Sequence, residues 1–367
     1  MYKTRKHLSQ IKHESYANVP EEFGPGWIDC SLGINPFGFP ERVGKAMGKF
    51  SADLVNHYPH GDAKLKRAII DYWSGHAVLE ECCIELACGS MDAITKINKM
   101  FLDKGTIVLG HSPQFPDFGM DVEGMGGIYE TIDMSSGKGK FDGERFIHEI
   151  KERHAYCYID NPNNPTGQII PLDVISEIAK QAASLGVCVV VDEAYGDFME
   201  KKNSAVKLLA SLDNIIVLKS LSKGFGMAGM RIGYAVGSVG LMDVYRKVSI
   251  PFCITGIGTV LALEALKDQE FLGESRKKIA QVKKKIIGSV EKMGNLETSP
   301  TVPIMTLTHP DKRVDLYREL LKENVLSVSG ENFESLGKNF VRFRVGADAE
   351  VLMRRLRQVE NNWTEEN

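Results

Sequence analysis

The feature that most constrains this chain is a series of short, continuously apolar segments separated by amphipathic ones. The apolar segments are IELAC (84–88), TIVLG (106–110), AYCYI (155–159), VCVVV (187–191), IIVLK (215–219) and IGYAV (232–236). A strand with one wet face alternates apolar and polar residues. A strand covered on both faces does not, and these segments do not. Between them, residues 90–102, 142–152 and 172–185 carry helical periodicity. A further helix is expected over 64–74, with Leu65, Ala68, Ile69 and Tyr72 on one face. Strands that alternate with helices predict an α/β fold: three layers, with a mainly parallel sheet between helices. Ligands of such sheets bind beyond the carboxyl ends of the strands, so the residues at those ends matter most.

The pattern changes after residue 270. A lysine-rich helix is expected over 270–293, its lysines on a solvated face. VPIMTLT, a helix near 312–323, VLSV, FVRFRV and a last helix near 348–360 then suggest a smaller α+β domain. The expected division is an N-terminal arm and substrate loop (1–40), a large domain (41–270) and a small domain (271–367). A chain of 367 residues is long enough for two domains. Its net charge of −3 gives no reason to expect a nucleic acid or an acidic membrane surface as partner. No apolar run is long enough to cross a membrane, and the basic opening MYKTRKHLSQIKHESY has no apolar stretch behind it, so no signal peptide is expected. Seven cysteines, an odd number without a CxxC pair, read as reduced core residues of a cytoplasmic protein with no metal site.

Chemistry gathers at the strand ends. SLSKGFGMAGMRIGY (220–234) sets Lys223 just after an apolar strand. Desolvation lowers the pKa of a buried lysine and frees its amine to attack a carbonyl. Ser220, Ser222 and Arg231 can hold a phosphate. Gly224 to Gly229 also spell GxGxxG, but they run into another strand, whereas the dinucleotide motif requires a helix. CGSMDAI (88–94) puts Gly89, Ser90 and Met91 at a helix N-terminus, a natural anion site. DNPNNPTG (160–167) holds Asn164 extended before Pro165 as a donor to a ring oxygen. VVVDEAYGDF (189–198) ends the most apolar strand in Asp192, with Tyr195 nearby; a buried carboxylate there needs a partner such as a pyridinium N–H. No GxxxxGK[ST] loop accompanies Asp192-Glu193, which excludes a P-loop nucleotidase. Phe115 can stack on a flat ring. Arg342 and Arg344 share one face of FVRFRV, with Val341, Phe343 and Val345 on the other. An imine-forming lysine, phosphate anchors, an acid for a ring nitrogen, a donor for a ring oxygen and a stacking aromatic describe one ligand, pyridoxal 5'-phosphate.

From SLGINPFGFP to FVRFRVG the chain resembles the fold-type I pyridoxal-phosphate enzymes of the class I/II aminotransferase family. The resemblance implies a transaminase acting on an amino acid or a phosphorylated amine. Lys223 would be the Schiff-base lysine and proton shuttle, and Asp192 would hold the pyridine nitrogen protonated. Asn164 and Tyr195 would contact the ring oxygen, and Phe115 would stack on the ring. Gly89, Ser90, Met91, Ser220, Ser222 and Arg231 would cradle the phosphate. Tyr58, in HYPHGD, would reach the phosphate of the neighbouring subunit, which implies a homodimer with shared active sites. Asn35 and Arg342 would bind the small-molecule amino substrate, Arg342 being preferred to Arg344. VRFRVG is similar to the histidinol-phosphate aminotransferases, whereas SLGINPFGFP is similar to the threonine-phosphate decarboxylases. Transamination and decarboxylation therefore both remain open on the residues alone.

Overall fold

The computed structural model describes residues 3–9, 11, 24–136 and 138–363; residues 12–23 of the expected N-terminal arm lie outside that set. In chain order the strands are β1 (Ile28–Asp29), β2 (Ile84–Ala87), β3 (Ile107–Ser112), β4 (Ile128–Asp133), β5 (His154–Asp160), β6 (Cys188–Glu193), β7 (Ile215–Ser220), β8 (Gly233–Gly237), β9 (Gly294–Asn295), β10 (Ile304–Thr308), β11 (Val325–Leu326), β12 (Val328–Ser329) and β13 (Phe340–Arg344).

A seven-stranded sheet has the order β2-β8-β7-β6-β5-β3-β4. All six expected apolar segments contribute to it. The block β7-β6-β5-β3-β4 is parallel, while β8 runs antiparallel to both β7 and β2. Strand β4 escapes the sequence pattern because it is an edge strand, half-wet, with Glu130 and Thr131 in its middle. Alternation sorts the central strands cleanly. Tyr156, Tyr158, Val190, Ile216 and Leu218 pack on one side with the helix Ser90–Phe101. Cys157, Ile159, Val189, Val191, Ile215 and Val217 pack on the other.

Some helices differ from expectation for local reasons. The helix Gly256–Leu266 carries no polar stripe, because Leu261, Ala262, Ala265 and Leu266 are buried along with its first-turn glycines, so it shows no periodicity to read. The helix expected over 312–323 starts later, at Leu316, where the Asp315 carboxylate accepts from the Arg318 N–H. The lysine-rich helix runs Gln269–Ile287. Its Lys277, Lys278, Lys284 and Lys285 are exposed as expected, but Lys283 is not. Only 1% of Lys283 is exposed. Its Nζ donates to Thr298 Oγ1 (2.6 Å), Ser299 O (2.7 Å), Val302 O (2.9 Å) and Ile304 O (2.9 Å). Burial without a carboxylate pushes this ammonium well below the usual lysine range.

A second sheet, β12-β13-β10-β9, is antiparallel throughout. Its core holds Val341, Phe343 and Val345 with Ile279 and Ile286 of the lysine-rich helix. Leu272, one turn in from the start of that helix, belongs to the first core instead. The N-terminal segment joins this second unit: β1 pairs in parallel with β11, and Arg344 N–H donates to Cys30 O at 2.9 Å. No helix among the described residues is long and apolar enough to cross a membrane. Phe343 is fully buried in the second core. Phe343→Ala should cost roughly 3–5 kcal/mol, read as a loss in urea-unfolding free energy.

Candidate active site

The ends of β5, β6 and β7 form the floor of a cavity of about 220 Å³. Asp160 and Asp192 are Cα partners in the β5–β6 ladder, so two carboxylates stand side by side. Asp192 Oδ2 accepts from Tyr158 OH at 2.7 Å and Oδ1 from the Ala194 N–H at 2.8 Å. Phe118 stacks on Tyr158 at 3.5 Å and 7°, which fixes the phenol. Burial pushes the Asp192 carboxyl up to about 6 against these two hydrogen bonds. A protonated ring nitrogen would relieve that cost.

Lys223 sits on the loop after β7, half-buried, with Nζ 5.6 Å from the centre of the Tyr195 ring. Desolvation, then the Arg342 and Arg231 guanidinium groups, brings its amine down to about 8, and Asp192 opposes them. The loop is tied from behind. Asn35 N–H donates to Lys223 O (3.1 Å) and Asn35 Nδ2 to Gly224 O (2.8 Å).

On the opposite wall, the helix Ser90–Phe101 points its N-terminus at the cavity, with Ser90 and Met91 in the lining. Arg231 faces it in left-handed backbone geometry (φ 53°), with Nη1 donating to Ser222 Oγ at 3.2 Å. A non-glycine residue held there is uncommon and marks a site worth its strain. Gly89 (φ 83°) lets the arginine in: a Cβ at this position would lie 2.5 Å from Arg231 Nη2. Backbone N–H groups, a hydroxyl and a guanidinium thus converge on a cup that suits a phosphate.

Asn164 is held twice. Its N–H donates to Asp160 Oδ2 at 2.9 Å, and its Oδ1 accepts from Arg342 Nη1 at 3.3 Å. Arg342 is fully buried and also donates from Nη2 to Ser31 O. Arg344 instead reaches Asp29 O, away from Asn164, so the geometry favours Arg342 as the arginine at the cavity edge. Gly33 crosses close over Tyr195, where a Cβ would meet the hydroxyl at 1.7 Å.

Nine of the residues expected from sequence line the cavity: Ser90, Met91, Phe115, Asn164, Asp192, Tyr195, Ser222, Lys223 and Arg231. Five others stand elsewhere. Ser220 lies beneath, its Oγ donating to Ile232 O (3.4 Å) and accepting from the Ser222 N–H (3.2 Å). Asn35 spends its amide on Gly224 O, on Ser275 Oγ (3.0 Å) and on the Phe37 N–H (3.0 Å), so it braces the lysine loop rather than facing a substrate. Gly89 and Arg342 border the cavity through Arg231 and Asn164. Tyr58 is 74% exposed and stacks on Phe252 at 4.8 Å, outside this chain's cavity. Asp117, Asp160 and Pro162 also line it, and Tyr158 supports it. The alternation of AYCYID would have placed Tyr158 and Asp160 on the same face as Asp192.

A profile of the class I and II aminotransferases matches residues 25–358. The chain belongs to the class I and II aminotransferase family. Histidinol-phosphate aminotransferase of Clostridium novyi (strain NT) is 30% identical over 296 residues, covering 80% of this chain and 79% of the relative. Histidinol-phosphate aminotransferase 2 of Archaeoglobus fulgidus is 28% identical over 347 residues, 93% of this chain and 95% of the relative. Among solved structures, the histidinol-phosphate aminotransferase of Clostridium acetobutylicum superposes with a TM-score of 0.82 at 23% identity, covering 91% of this chain and 99% of that one. The aspartate aminotransferase of Thermus thermophilus with maleate does so at 0.84 and 20%, covering 98% and 100%. At these identities the superpositions speak for the fold.

Aminotransferases of this family are pyridoxal-phosphate enzymes, and the cavity fits that group: a buried carboxylate at one end, a lysine amine near neutrality, and a phosphate-shaped cup. The rate at which the apoenzyme captures pyridoxal phosphate on Lys223 should rise with pH up to about 8 and then level, as the ammonium form is used up. Stopped-flow absorbance checks this; a midpoint at the ordinary lysine value of 10.5 would overturn the assigned environment.

Proposed function

We propose that this aminotransferase transfers the amino group of a phosphorylated amine of the histidinol-phosphate kind to a 2-oxo acid. The observation that carries the proposal is Lys223 beside Asp192 in one cavity, closed by the Ser222–Arg231 cup and edged by Arg342. The names of the relatives support the substrate class. When bound, pyridoxal phosphate supplies an electrophilic carbonyl and a ring that accepts electrons. Asp192 would keep the ring nitrogen protonated. Asn164 and Tyr195 would hold the ring oxygen, and Phe115 would cover the ring. Gly89, Ser90, Met91, Ser222 and Arg231 would hold the phosphate. Lys223 would anchor the group and, once displaced by the substrate amine, take the proton from the amine-bearing carbon and return it on the far side of the transfer. The amine and the oxo acid must use one cavity in turn. Both are anions, and the Arg342 guanidinium suits a phosphate and a carboxylate alike.

We further propose that the enzyme works as a homodimer in the cytoplasm. Tyr58, Phe252, Val55 and Ile250 leave an apolar patch exposed, which supports a second copy there, with Tyr58 serving the neighbouring cavity. All seven cysteines are free, which agrees with a reducing compartment. Light scattering on the eluted holoenzyme should give twice the 40.7 kDa chain mass.

The decisive assay incubates holoenzyme with histidinol phosphate and a 2-oxo acid. New amino acid should form; carbon dioxide release in a parallel incubation with threonine phosphate, an amine that carries a carboxylate, would instead favour the decarboxylase to which SLGINPFGFP is similar. Lys223→Ala should abolish turnover. Arg342→Ala should lower kcat/KM about 10- to 100-fold while cofactor stays bound, the scale of a lost charge-assisted hydrogen bond.

A further inference from the structure

Asp160 lies in the cavity floor beside Asp192, yet its carboxylate faces a different set of donors. Oδ2 accepts the Asn164 N–H at 2.9 Å, and Oδ1 accepts Asn163 Nδ2 at 2.9 Å and Gln114 Nε2 at 3.3 Å. His111 Nε2 stands 3.2 Å from the same Oδ1. Gln114 is itself oriented by Tyr129 OH. The titratable groups around it are thus His111 on β3, Tyr129 on β4, Tyr158 on β5 itself and Asp192 on β6. Three separate pieces of chain converge on one anion: the end of β3, the loop before the helix Pro116–Met125, and the Asn-Pro loop. A side chain with two acceptor oxygens serves the Gln114, Asn163 and Asn164 donors together; an amide in its place would turn an N–H toward at least one of them.

What this arrangement fixes is Asn164. Asp160 holds its backbone. Arg342 occupies its Oδ1. The amide cannot flip without setting two donors against each other, so Nδ2 is left for the cavity. We infer that Asp160 is a positioning residue of the aminotransferase: it locks Asn164 so that the amide N–H meets the cofactor's ring oxygen, and it does so by geometry rather than by its charge alone. This rests on the contact between Asn164 and the ring oxygen proposed above.

The geometric and the purely electrostatic roles predict opposite signs. An amide donating to the ring oxygen favours the proton-free oxygen and so lowers the pH midpoint of the bound cofactor's visible absorbance. Loosening Asn164 therefore raises that midpoint. Removing a nearby negative charge, with nothing else altered, would lower it.

The test uses wild type, Asp160→Asn, Asp160→Glu, Asn164→Ala and the double variant Asp160→Asn/Asn164→Ala. The pyridoxal-phosphate dissociation constant of each apoenzyme is measured by titration, and the midpoint by absorbance of each holoenzyme. Asp160→Asn should weaken cofactor binding about ten-fold, the scale of a lost hydrogen bond to a charged group. It should raise the midpoint, as Asn164→Ala does, and the double variant should be no worse than Asn164→Ala, because both act through one contact. Asp160→Glu keeps the charge but displaces the carboxylate, so it too should raise the midpoint; it carries the test if Asp160→Asn does not fold. A fall in the midpoint, full additivity in the double variant, or wild-type behaviour of Asp160→Glu would overturn the inference. Wild-type chain that takes up no pyridoxal phosphate would instead sink the functional reading beneath it.

Discussion

A carboxylate buried at the tip of a parallel strand is the constraint on which the rest of this molecule depends. Asp192 sits out of water, with like charge from Asp160 beside it and its carboxylate held by Tyr158 OH and the Ala194 N–H. Such a group is costly unless a cation faces it. The parallel block creates the position, because every strand of it ends on the same side. Lys223 arrives on the loop after the adjacent strand. Its amine is held near neutrality by the same dryness. One desolvated cavity thus raises the Asp192 carboxyl and lowers the Lys223 amine.

Asp192 belongs to the first sheet and Arg342 to the second. The two units are joined at the cavity edge by Arg342 Nη1 to Asn164 Oδ1, and beyond it by Ser112 Oγ with Ser335 Oγ and by the Ser299 N–H to Gly167 O. The N-terminal segment stitches the same joint from outside. It adds β1 to β11, lays Gly33 on Tyr195, and ties Asn35 to the lysine loop. A residue can therefore belong to the site's construction without touching a ligand, as Asn35 and Ser220 do.

Much of this could be read from the chain itself. Six apolar segments announced six strands, and strand-end logic brought nine expected residues to one cavity. What stayed hidden has common physical roots. Strand β4 is an edge, so its outer residues are polar. The helix Gly256–Leu266 is buried along most of its length, so it lacks a stripe. Ser220 was expected at the phosphate because it is a hydroxyl next to the lysine; whether a hydroxyl points up or down at a strand's end is decided by pairing partners far away in sequence. Asp160 was passed over because an aspartate before a proline-rich loop looks like an ordinary turn residue, and its donors come from residues 114, 163 and 164.

Lys283 shows the same dependence on distant chain. Four oxygens from residues 298 to 304 surround its Nζ. The same stretch abuts Gly167, at the end of the Asn-Pro loop. Because this amine is covalently part of the helix, it can be neither chelated nor diluted. The seam between the two sheets is therefore held by a donor built into the chain itself, one that no chelator can withdraw.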